Sequence, residues 1–232
     1  METVIFEDLG RMGYQQAWDY QEALLKENVL AKTEARESGN EAPATVHRLL
    51  FVEHPPVYTL GKSGHIENVL LDEARMEEKG ASFFRTNRGG DITFHGEGQL
   101  VGYPILDLEK FRTDLGWYLR SLEEVGIRVL AEYGIPGGRS PGETGIWIDP
   151  GVRGRERKIC AMGVRCSRWI TMHGFALNVN TDLSWFANIV PCGIPDKQVT
   201  SMEKELGRRV DVEDVKTRWK SRFEEVFAAA LG

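Results

Sequence analysis

Two side chains between positions 158 and 192 suit covalent catalysis, the amine of Lys158 and the thiol of Cys192. A cysteine thiolate is a strong nucleophile, and a nearby ammonium group lowers the thiol pKa from its usual value of about 8.5. Cys192 stands between Pro191 and Gly193, which favour a bend, so the pattern predicts an accessible thiol rather than one packed inside a strand. The chemistry open to this pair is nucleophilic catalysis through the thiolate.

A β-hairpin brings the two residues together although 34 positions separate them. Residues 159–164 and 169–179 are rich in β-branched, aromatic and aliphatic side chains and predict two strands, joined by a connection over 165–168. If the strands pair antiparallel, the second ends near the start of the first, so the chain returns toward Lys158 before it reaches Cys192. Without that geometry, Lys158 is an ordinary surface lysine.

A glycine-rich segment, RGGDITFHGEGQ, begins at Arg88. Polar and apolar residues alternate over 91–95, which predicts a strand with its polar side chains on one face. The glycine spacing does not match a P-loop or a dinucleotide-binding fingerprint. The segment therefore suits the wall of an acyl pocket at least as well as a phosphate site.

Length and composition set further limits. The 232 residues are predicted to form a single domain, 1–232, with 41% hydrophobic and 28% charged residues, as expected for a globular protein. No secretory signal or membrane-spanning run is recognisable, and three cysteines without CxxC spacing argue against a disulfide framework or a structural zinc site. These features predict a cytoplasmic enzyme or binding protein.

The charge is uneven along the chain. The net charge of −6 argues against a nucleic-acid-binding protein. Residues 151–168, however, carry six basic side chains and one acidic one. This basic segment indicates either a docking surface for an acidic partner or a solvated hairpin loop.

Strands and helices mix without a strict βαβ alternation, which predicts an α+β (mixed α/β) fold. Apolar residues at helical spacing predict a helix from Gly13 to about Glu37 and another over 114–133 with Thr113 as N-cap. A closing helix is predicted to begin after Asp211.

Five segments together resemble one family. RGGDITFHGEGQLVGYP, EHPPVYTLG (53–61), TGIWI (144–148), RKICAMGVRCSRWITMHGFALNVNTDL (157–183) and IVPCGI (189–194) are similar, in this order, to the octanoyltransferase family, commonly called LipB. The resemblance covers nearly the whole chain.

This resemblance implies a mixed β-sheet flanked by helices, as in the lipoate and biotin protein ligases. It implies transfer of an octanoyl (or lipoyl) group from acyl carrier protein to a lysine of lipoyl domains, in 2-oxoacid dehydrogenase complexes and in the glycine cleavage H protein. The acyl group arrives on the carrier's phosphopantetheine, so no metal and no further cofactor is expected, and the enzyme is expected to be a cytoplasmic monomer. No nucleic acid and no membrane is implied as a partner.

The resemblance also implies roles for individual residues. Cys192 matches the nucleophile that forms the acyl thioester, and Lys158 matches the lysine that lowers its pKa. The implied substrate-binding residues form three segments: Arg88, Gly89, Gly90, Asp91, Ile92, Thr93, Phe94 and His95; Ala161, Met162 and Gly163; and Gly174, Phe175 and Ala176.

Two alternatives remain at this point. One is an ATP-dependent lipoate or biotin protein ligase on the same fold, which needs no nucleophilic cysteine. The other is an inactive protein that only binds acyl chains or carrier protein. Cys160, two positions from Lys158 in a predicted strand, is expected on the same side of that strand as a second, oxidisable thiol near the site.

Overall fold

The computed structural model describes residues 1–39, 43–190 and 198–232, which form twelve strands and five α-helices. The strands are β1 (Glu2–Arg11), β2 (His47–Glu53), β3 (Val57–Leu60), β4 (Ser82–Arg85), β5 (Ile92–His95), β6 (Gln99–Ile105), β7 (Gly137–Gly138), β8 (Ile146–Ile148), β9 (Arg157–Ser167), β10 (Ile170–Asn178), β11 (Gln198–Val199) and β12 (Ala229–Leu231). The helices are α1 (Tyr14–Glu37), α2 (Glu73–Glu78), α3 (Leu115–Glu132), α4 (Met202–Leu206) and α5 (Val212–Phe227).

A large mixed sheet organises these elements. Within the described segments its strand order is β12-β1-β2-β6-β10-β9-β8-β7, and β11 pairs in parallel with β9. β1 runs parallel to both β12 and β2, whereas the pairs from β2 to β7 are antiparallel. A second, three-stranded sheet has the order β4-β3-β5.

Helices cover both faces of the large sheet. α3 and α5 pack on one face, where the Trp219 ring of α5 stacks on Phe175 of β10 with ring centroids 3.8 Å apart. α1 covers the other face and contributes Leu24 and Leu25 to the core there. The predicted mixed sheet flanked by helices is thereby confirmed, and each apolar helix stripe is removed from water by the sheet.

The predicted helices are present, with one correction at a helix start. α3 begins one residue later than predicted, and its N-cap is Asp114, whose carboxylate accepts the Trp117 N–H at 2.9 Å. The prediction of Thr113 as N-cap was wrong, because the aspartate one residue on reaches the free N–H groups of the first turn. α5 starts after Asp211 as predicted.

The hairpin of β9 and β10 is confirmed, but its turn is shorter than predicted. Arg168 and Trp169 form the connection, both with positive φ (49° and 66°). Two-residue turns with positive φ at both positions match the right-handed twist of the strands they join. Residues 165–167, predicted as part of the connection, belong to β9 and pair with β10.

No helix within the described ranges is long and apolar enough to cross a bilayer.

Candidate active site

A cavity of about 650 Å³ lies along the outer edge of β9. β8 pairs with β9 only as far as Cys160, and beyond that point Gly89 donates its N–H to the Val164 carbonyl at 2.9 Å. The cavity is lined by Lys158 and, from the predicted substrate-binding residues, by Arg88, Gly89, Gly90, Asp91, Ile92, Thr93, His95, Ala161, Met162, Gly163, Gly174, Phe175 and Ala176. Segments about seventy residues apart in the sequence thus meet in one place.

A shift of one residue in strand register turns Lys158 toward this cavity. Lys158 lies opposite Trp147, but Cys160 lies opposite Ile146, so Ile159 is an extra residue in β9. Because Ile146 and Trp147 are neighbours in β8 and point to opposite faces, Lys158 and Cys160 also point to opposite faces. A regular strand would have placed both side chains on the same face.

The register shift also overturns the expectation about Cys160. Its side chain is fully buried in the core between the sheet and α3 and α5. Burial raises the pKa of the Cys160 thiol far above its usual value, so the thiol stays protonated. The expectation that Cys160 shares the side of Lys158 was wrong, because the period-two rule fails where a strand holds an extra residue.

The Lys158 side chain is held against aromatic and backbone surfaces. Its Nζ lies 4.5 Å from the centroid of the Trp147 ring. A Cβ atom on Gly145 would lie 3.7 Å from Lys158 Cδ and only 2.5 Å from the Cys160 carbonyl oxygen. Gly145, at φ +109°, therefore permits the close approach of the 142–145 segment, which forms part of the cavity wall.

Arg88 fastens the glycine-rich segment to the second sheet. Its Nη2 donates to the Thr59 carbonyl at 2.5 Å, to Thr59 Oγ1 at 2.9 Å and to the Asp91 carbonyl at 2.8 Å. The side chain is buried, so these charge-assisted bonds compensate its desolvation. Arg88 lines the cavity while its guanidinium shapes the segment around it.

Asp91 connects the same segment to the next loop. One carboxylate oxygen accepts from Asn68 Nδ2 at 2.6 Å, and the other accepts from the backbone N–H groups of His65 and Ile92. Phe94 differs from the rest of the predicted segment. Its ring packs behind the cavity wall and stacks on Trp185, with centroids 5.2 Å apart.

Small residues form the wall beside Lys158. Gly163 pairs with Gly174 and Ala161 pairs with Ala176 across β9 and β10. A Cβ on Gly163 would lie 2.6 Å from the Gly89 carbonyl oxygen, and a Cβ on Gly174 would lie 2.2 Å from the Gly102 carbonyl oxygen. The wall is therefore flat because the backbone on either side leaves no room for larger side chains.

The cavity also has a polar lining of tyrosine and histidine side chains, of which the sequence predicted only His95. Tyr14 and Tyr103 line it, and burial raises the pKa of Tyr14 to about 12. His95 and His173 also line it, and burial lowers the pKa of each to about 3, so both imidazoles are neutral. His95 Nδ1 lies 2.9 Å from Gln99 Oε1. Burial, rather than any one neighbouring charge, is the main cause of each of these shifts.

Several other lining residues lie far apart in the sequence and carried no local motif. They are Ser63, His65, Asn68, Val101, Leu115, Leu119, Gly142, Glu143, Thr144, Val164, Asn178, Phe186 and Val199. Only pairing across the sheets brings them together. For His173, its position directly before the predicted Gly174 was a usable signal.

Cys192 lies outside the described residues, as does its neighbour Gly193. The described chain ends beside the cavity at Val190, whose N–H donates to the Asn68 carbonyl at 2.8 Å. It resumes at β11, where Val199 pairs with Lys158. The predicted role of Cys192 stays a prediction.

The basic segment 151–168 is not one patch. β9 carries Arg157 at one end, where Asp149 and Glu205 each bind its guanidinium at 2.7 Å. Arg165 lies near the other end of the strand and pairs with Glu22 at 2.6 Å. The strand separates these charges by its full length, and nearby acidic side chains compensate them.

Metal ligation has no support in the described ranges, where no group of three His, Cys, Asp or Glu side chains is arranged to hold an ion.

Comparison with known proteins decides the family. A family model described as the lipoyl protein ligase A/B catalytic domain matches residues 13–224. The octanoyltransferase of Christiangramia forsetii is 56% identical over 225 residues, which cover 97% of this chain and 95% of that protein. The octanoyltransferase of Flavobacterium johnsoniae is 56% identical over 231 residues, 99% of each chain. The chain belongs to the octanoyltransferase family.

Membership in the octanoyltransferase family confirms the resemblance found in the sequence and makes the protein an acyltransferase of protein lipoylation. Identity above 50% over nearly the full length favours octanoyl transfer over the ATP-dependent ligase alternative. The same identity disfavours the alternative that the protein only binds acyl chains or carrier protein without catalysing transfer.

Solved structures confirm the ligase-like fold. A bipartite lipoate protein ligase from Thermoplasma acidophilum gives a TM-score of 0.72 at 18% identity, covering 100% of this chain and 86% of that one. A biotin protein ligase from Aquifex aeolicus, in complex with biotin and ATP, gives 0.53 at 15% identity, covering 97% and 70%. At such low identity the likeness concerns the fold alone.

Proposed function

We propose that this octanoyltransferase moves an octanoyl group from acyl carrier protein to a lysine of a lipoyl domain through a thioester on Cys192. The observation that carries the proposal is the register shift in β9, which turns the Lys158 amine into the cavity. Cys192 stands in the segment IVPCGI that resembles the family's nucleophile segment, seven positions before Val199, the partner of Lys158.

The cavity suits an acyl chain. Its volume of about 650 Å³ lies in the range of small-molecule sites. The flat wall of Ala161, Gly163, Gly174 and Ala176 permits close contact along an unbranched chain. These residues, together with the glycine-rich segment at Arg88, are the proposed substrate-binding surface.

In the first half-reaction, the Cys192 thiolate attacks the carbonyl carbon of the octanoyl thioester. The carbon–sulfur bond to the carrier breaks, and the departing thiolate takes a proton from the Lys158 ammonium. Before the attack, that ammonium stabilises the Cys192 thiolate. The products are the acyl-enzyme, a free carrier thiol and neutral Lys158.

In the second half-reaction, the amine of the acceptor lysine attacks the acyl-enzyme. Neutral Lys158 accepts the proton that the amine loses, and the amide forms as the Cys192 thiolate leaves. Each half-reaction therefore returns Lys158 to the protonation state that the other one needs. No ATP and no metal takes part, since the thioester already activates the acyl group.

The basic segment contributes less to carrier docking than its sequence indicated. Arg157 is only 21% exposed and is engaged by both Asp149 and Glu205, so we assign docking to the exposed Arg153 and Arg155. Arg155 also pairs with Asp149, at 3.1 Å, but its side chain is 69% exposed. Reversing both charges is expected to weaken carrier-protein affinity and its salt dependence. If the charge-reversed variant binds the carrier protein as tightly as the wild type does, at salt concentrations of both about 50 mM and about 200 mM, this docking role is wrong.

We further propose that the enzyme acts as a cytoplasmic monomer. The absence of a membrane-crossing helix in the described ranges is compatible with this. A light-scattering mass of twice the chain at working concentration would contradict the monomer.

The proposal is tested by mass spectrometry of the enzyme after incubation with octanoyl-carrier protein and no ATP. We expect an octanoyl adduct on the peptide that contains Cys192, and its disappearance when a lipoyl domain is added. Cys192→Ala should form no adduct, whereas Cys160→Ala should form it as the wild type does, because Cys160 is buried in the core.

Transfer that needs ATP and leaves no adduct on Cys192 would instead support the ligase alternative. Carrier binding without any transfer would support the inactive binding protein.

A further inference from the structure

The carboxylate of Glu123, in the middle of α3, is completely buried (0% exposed). A buried carboxylate is costly unless it is paired and hydrogen-bonded. Two guanidinium groups compensate its charge, since Nη1 of Arg120 at 2.6 Å and Nε of Arg139 at 3.0 Å both donate to Oε2. The other oxygen, Oε1, accepts the backbone N–H of Gly145 at 2.9 Å. No step of the proposed reaction uses this buried charge.

The bond from Glu123 to Gly145 lies where the pairing of β8 with β9 stops. β8 begins at Ile146, whose partner Cys160 is the last residue of β9 that β8 reaches. Gly145 directly precedes β8, and its φ of +109°, which favours glycine, turns the chain away from β9. The segment 142–145 on the other side of this turn forms part of the cavity wall. Glu123 therefore holds the point at which the strand pair ends and the cavity begins.

α3 holds the start of β8 a second time, one turn further along the helix. A Cβ atom on Gly126 would lie only 2.3 Å from Ile146 Cδ1, so the isoleucine packs directly on the helix backbone. Residues 123 and 126 lie on the same face of α3, because side chains three positions apart are neighbours on a helix. The polar contact of Glu123 and the apolar contact of Gly126 thus fix two consecutive residues of the chain that leads into β8.

The start of β8 in turn holds Lys158. The Lys158 Nζ atom lies 4.5 Å from the centroid of the Trp147 ring, two residues after Gly145. A Cβ atom on Gly145 would lie 3.7 Å from Lys158 Cδ, an ordinary contact distance. The extra residue of β9, Ile159, depends on the same placement, since it lies between the β9 partners of Ile146 and Trp147. A shift of Gly145 would therefore reach the lysine through its contacts and through the strand register.

We propose that Glu123 is a positioning residue for Lys158. By binding the Gly145 N–H, it fixes the start of β8 and with it the direction of the Lys158 amine into the cavity. Glu123 acts through Gly145 and β8 and does not itself contact the reacting groups. This inference rests on the proposed function, in which the Lys158 ammonium activates Cys192.

The variant that tests this role is Glu123→Asp. It keeps the negative charge beside the two arginines but draws the carboxylate back by about 1.5 Å, the length of one carbon–carbon bond, so the Gly145 N–H loses its acceptor. Glu124→Asp is the matched control. Glu124 also binds Arg139, at 2.8 Å, and pairs with Arg128, but it does not accept the Gly145 N–H.

The deciding measurement is the rate at which acetic anhydride acetylates Lys158 in the free enzyme, followed by mass spectrometry. The exposed Lys62 and Lys204 serve as internal references. We expect the relative rate at Lys158 to rise several-fold in Glu123→Asp, because the side chain leaves its fixed position, and to stay at the wild-type value in Glu124→Asp. Glu123→Gln, which keeps the length and loses the charge, should show the same rise. It replaces Glu123→Asp if thermal unfolding shows that the aspartate variant does not fold.

A second measurement follows the consequence at the thiol. The rate of Cys192 alkylation by iodoacetamide across a pH series gives the pKa of this thiol. We expect that pKa to rise toward about 8.5 in Glu123→Asp, since a displaced ammonium no longer lowers it. Formation of the octanoyl adduct should fall about 10-fold to 100-fold, as for a group misplaced by about 1 Å.

A folded Glu123 variant with the wild-type acetylation rate at Lys158 would overturn the inference, and any loss of stability would then show only that Glu123 supports the fold. A raised acetylation rate with an unchanged Cys192 pKa would confirm the positioning of Lys158 but contradict its action on Cys192 in the proposed function. The acetylation measurement needs no acyl transfer, so the two failures are distinguishable.

Discussion

The Nζ atom of Lys158 lies 4.5 Å from the centroid of the Trp147 ring, one rung across the β8–β9 pair. The ring is almost fully buried, and one of its faces lies against the partly buried Lys158 side chain. This pairing exists because the extra residue Ile159 brings Lys158, instead of Ile159, opposite Trp147.

Replacing Trp147 should therefore slow the formation of the acyl-enzyme. We expect Trp147→Leu to reduce that rate about 2-fold to 30-fold, the range that corresponds to one cation–π contact. Trp147→Phe keeps an aromatic face and should lose less. Rapid-quench measurement of the adduct gives both rates, and thermal unfolding of both variants separates this effect from a loss of stability. Equal rates in the two variants would show that the ring face has no role.

Lys158→Arg should separate the two half-reactions. A guanidinium keeps the positive charge that stabilises the thiolate, but it does not give up its proton at ordinary pH. We expect the adduct to form at a reduced rate, while transfer from the adduct to a lipoyl domain falls by about 100-fold or more. Lys158→Met should impair both steps. The proposed base role fails if the arginine variant completes transfer at the wild-type rate.

Gly163→Ala should displace the glycine-rich segment from β9. The added methyl group would lie 2.6 Å from the Gly89 carbonyl oxygen, and the backbone there cannot yield without breaking the contact of Gly89 with Val164. We expect kcat/KM to fall about 10-fold to 100-fold, as for a misplaced binding group. Gly13→Ala is the control, because a Cβ there has no neighbour within 4 Å. Wild-type kcat/KM in Gly163→Ala would mean that this wall does not contact substrate.

Stability should fall as the pH drops below about 6.5. Burial lowers the pKa of His54 to about 4 and those of His95 and His173 to about 3, whereas in the unfolded chain each returns to about 6.5. Between these values the unfolded state binds more protons, so the free energy of unfolding rises with pH across this window. The slope is at most about 4 kcal/mol per pH unit for three histidines.

Urea unfolding at a series of pH values from 7.5 to 4.5 measures this slope. His54→Gln should lower the slope by about 1.4 kcal/mol per pH unit, which is the contribution of one proton. His65 is exposed, so His65→Gln should leave the slope unchanged. A slope of zero in the wild type would contradict the buried, neutral state of the three rings.

Much of the site is local in the sequence, which explains why it was predictable. The alternation over 91–95 depends only on the strand period, and Ile92 lies in the core as that period requires. The β9–β10 hairpin depends on contacts between residues close in the chain, and the pairing of Gly163 with Gly174 follows from it. Pro191 and Gly193 identified Cys192 as a residue in a bend, an expectation that lies outside the described residues.

Other features needed the tertiary structure. The side of β9 on which Lys158 lies depends on Ile159 being an extra residue, and that is set by the pairing with β8, not by β9 itself. β12 was not predicted either, because three residues after a helix become a strand only when β1 offers a free edge.

The sequence by itself determined the family, the acyltransfer chemistry and the segments that form the cavity wall, since each depends on residue types and spacings along the chain. The tertiary structure decided that Lys158 faces the cavity while Cys160 faces the core, and that burial keeps the imidazoles of His95 and His173 neutral. The physical reason is that strand pairing fixes the direction of a side chain, and burial fixes its protonation. Both depend on elements that are distant in the sequence.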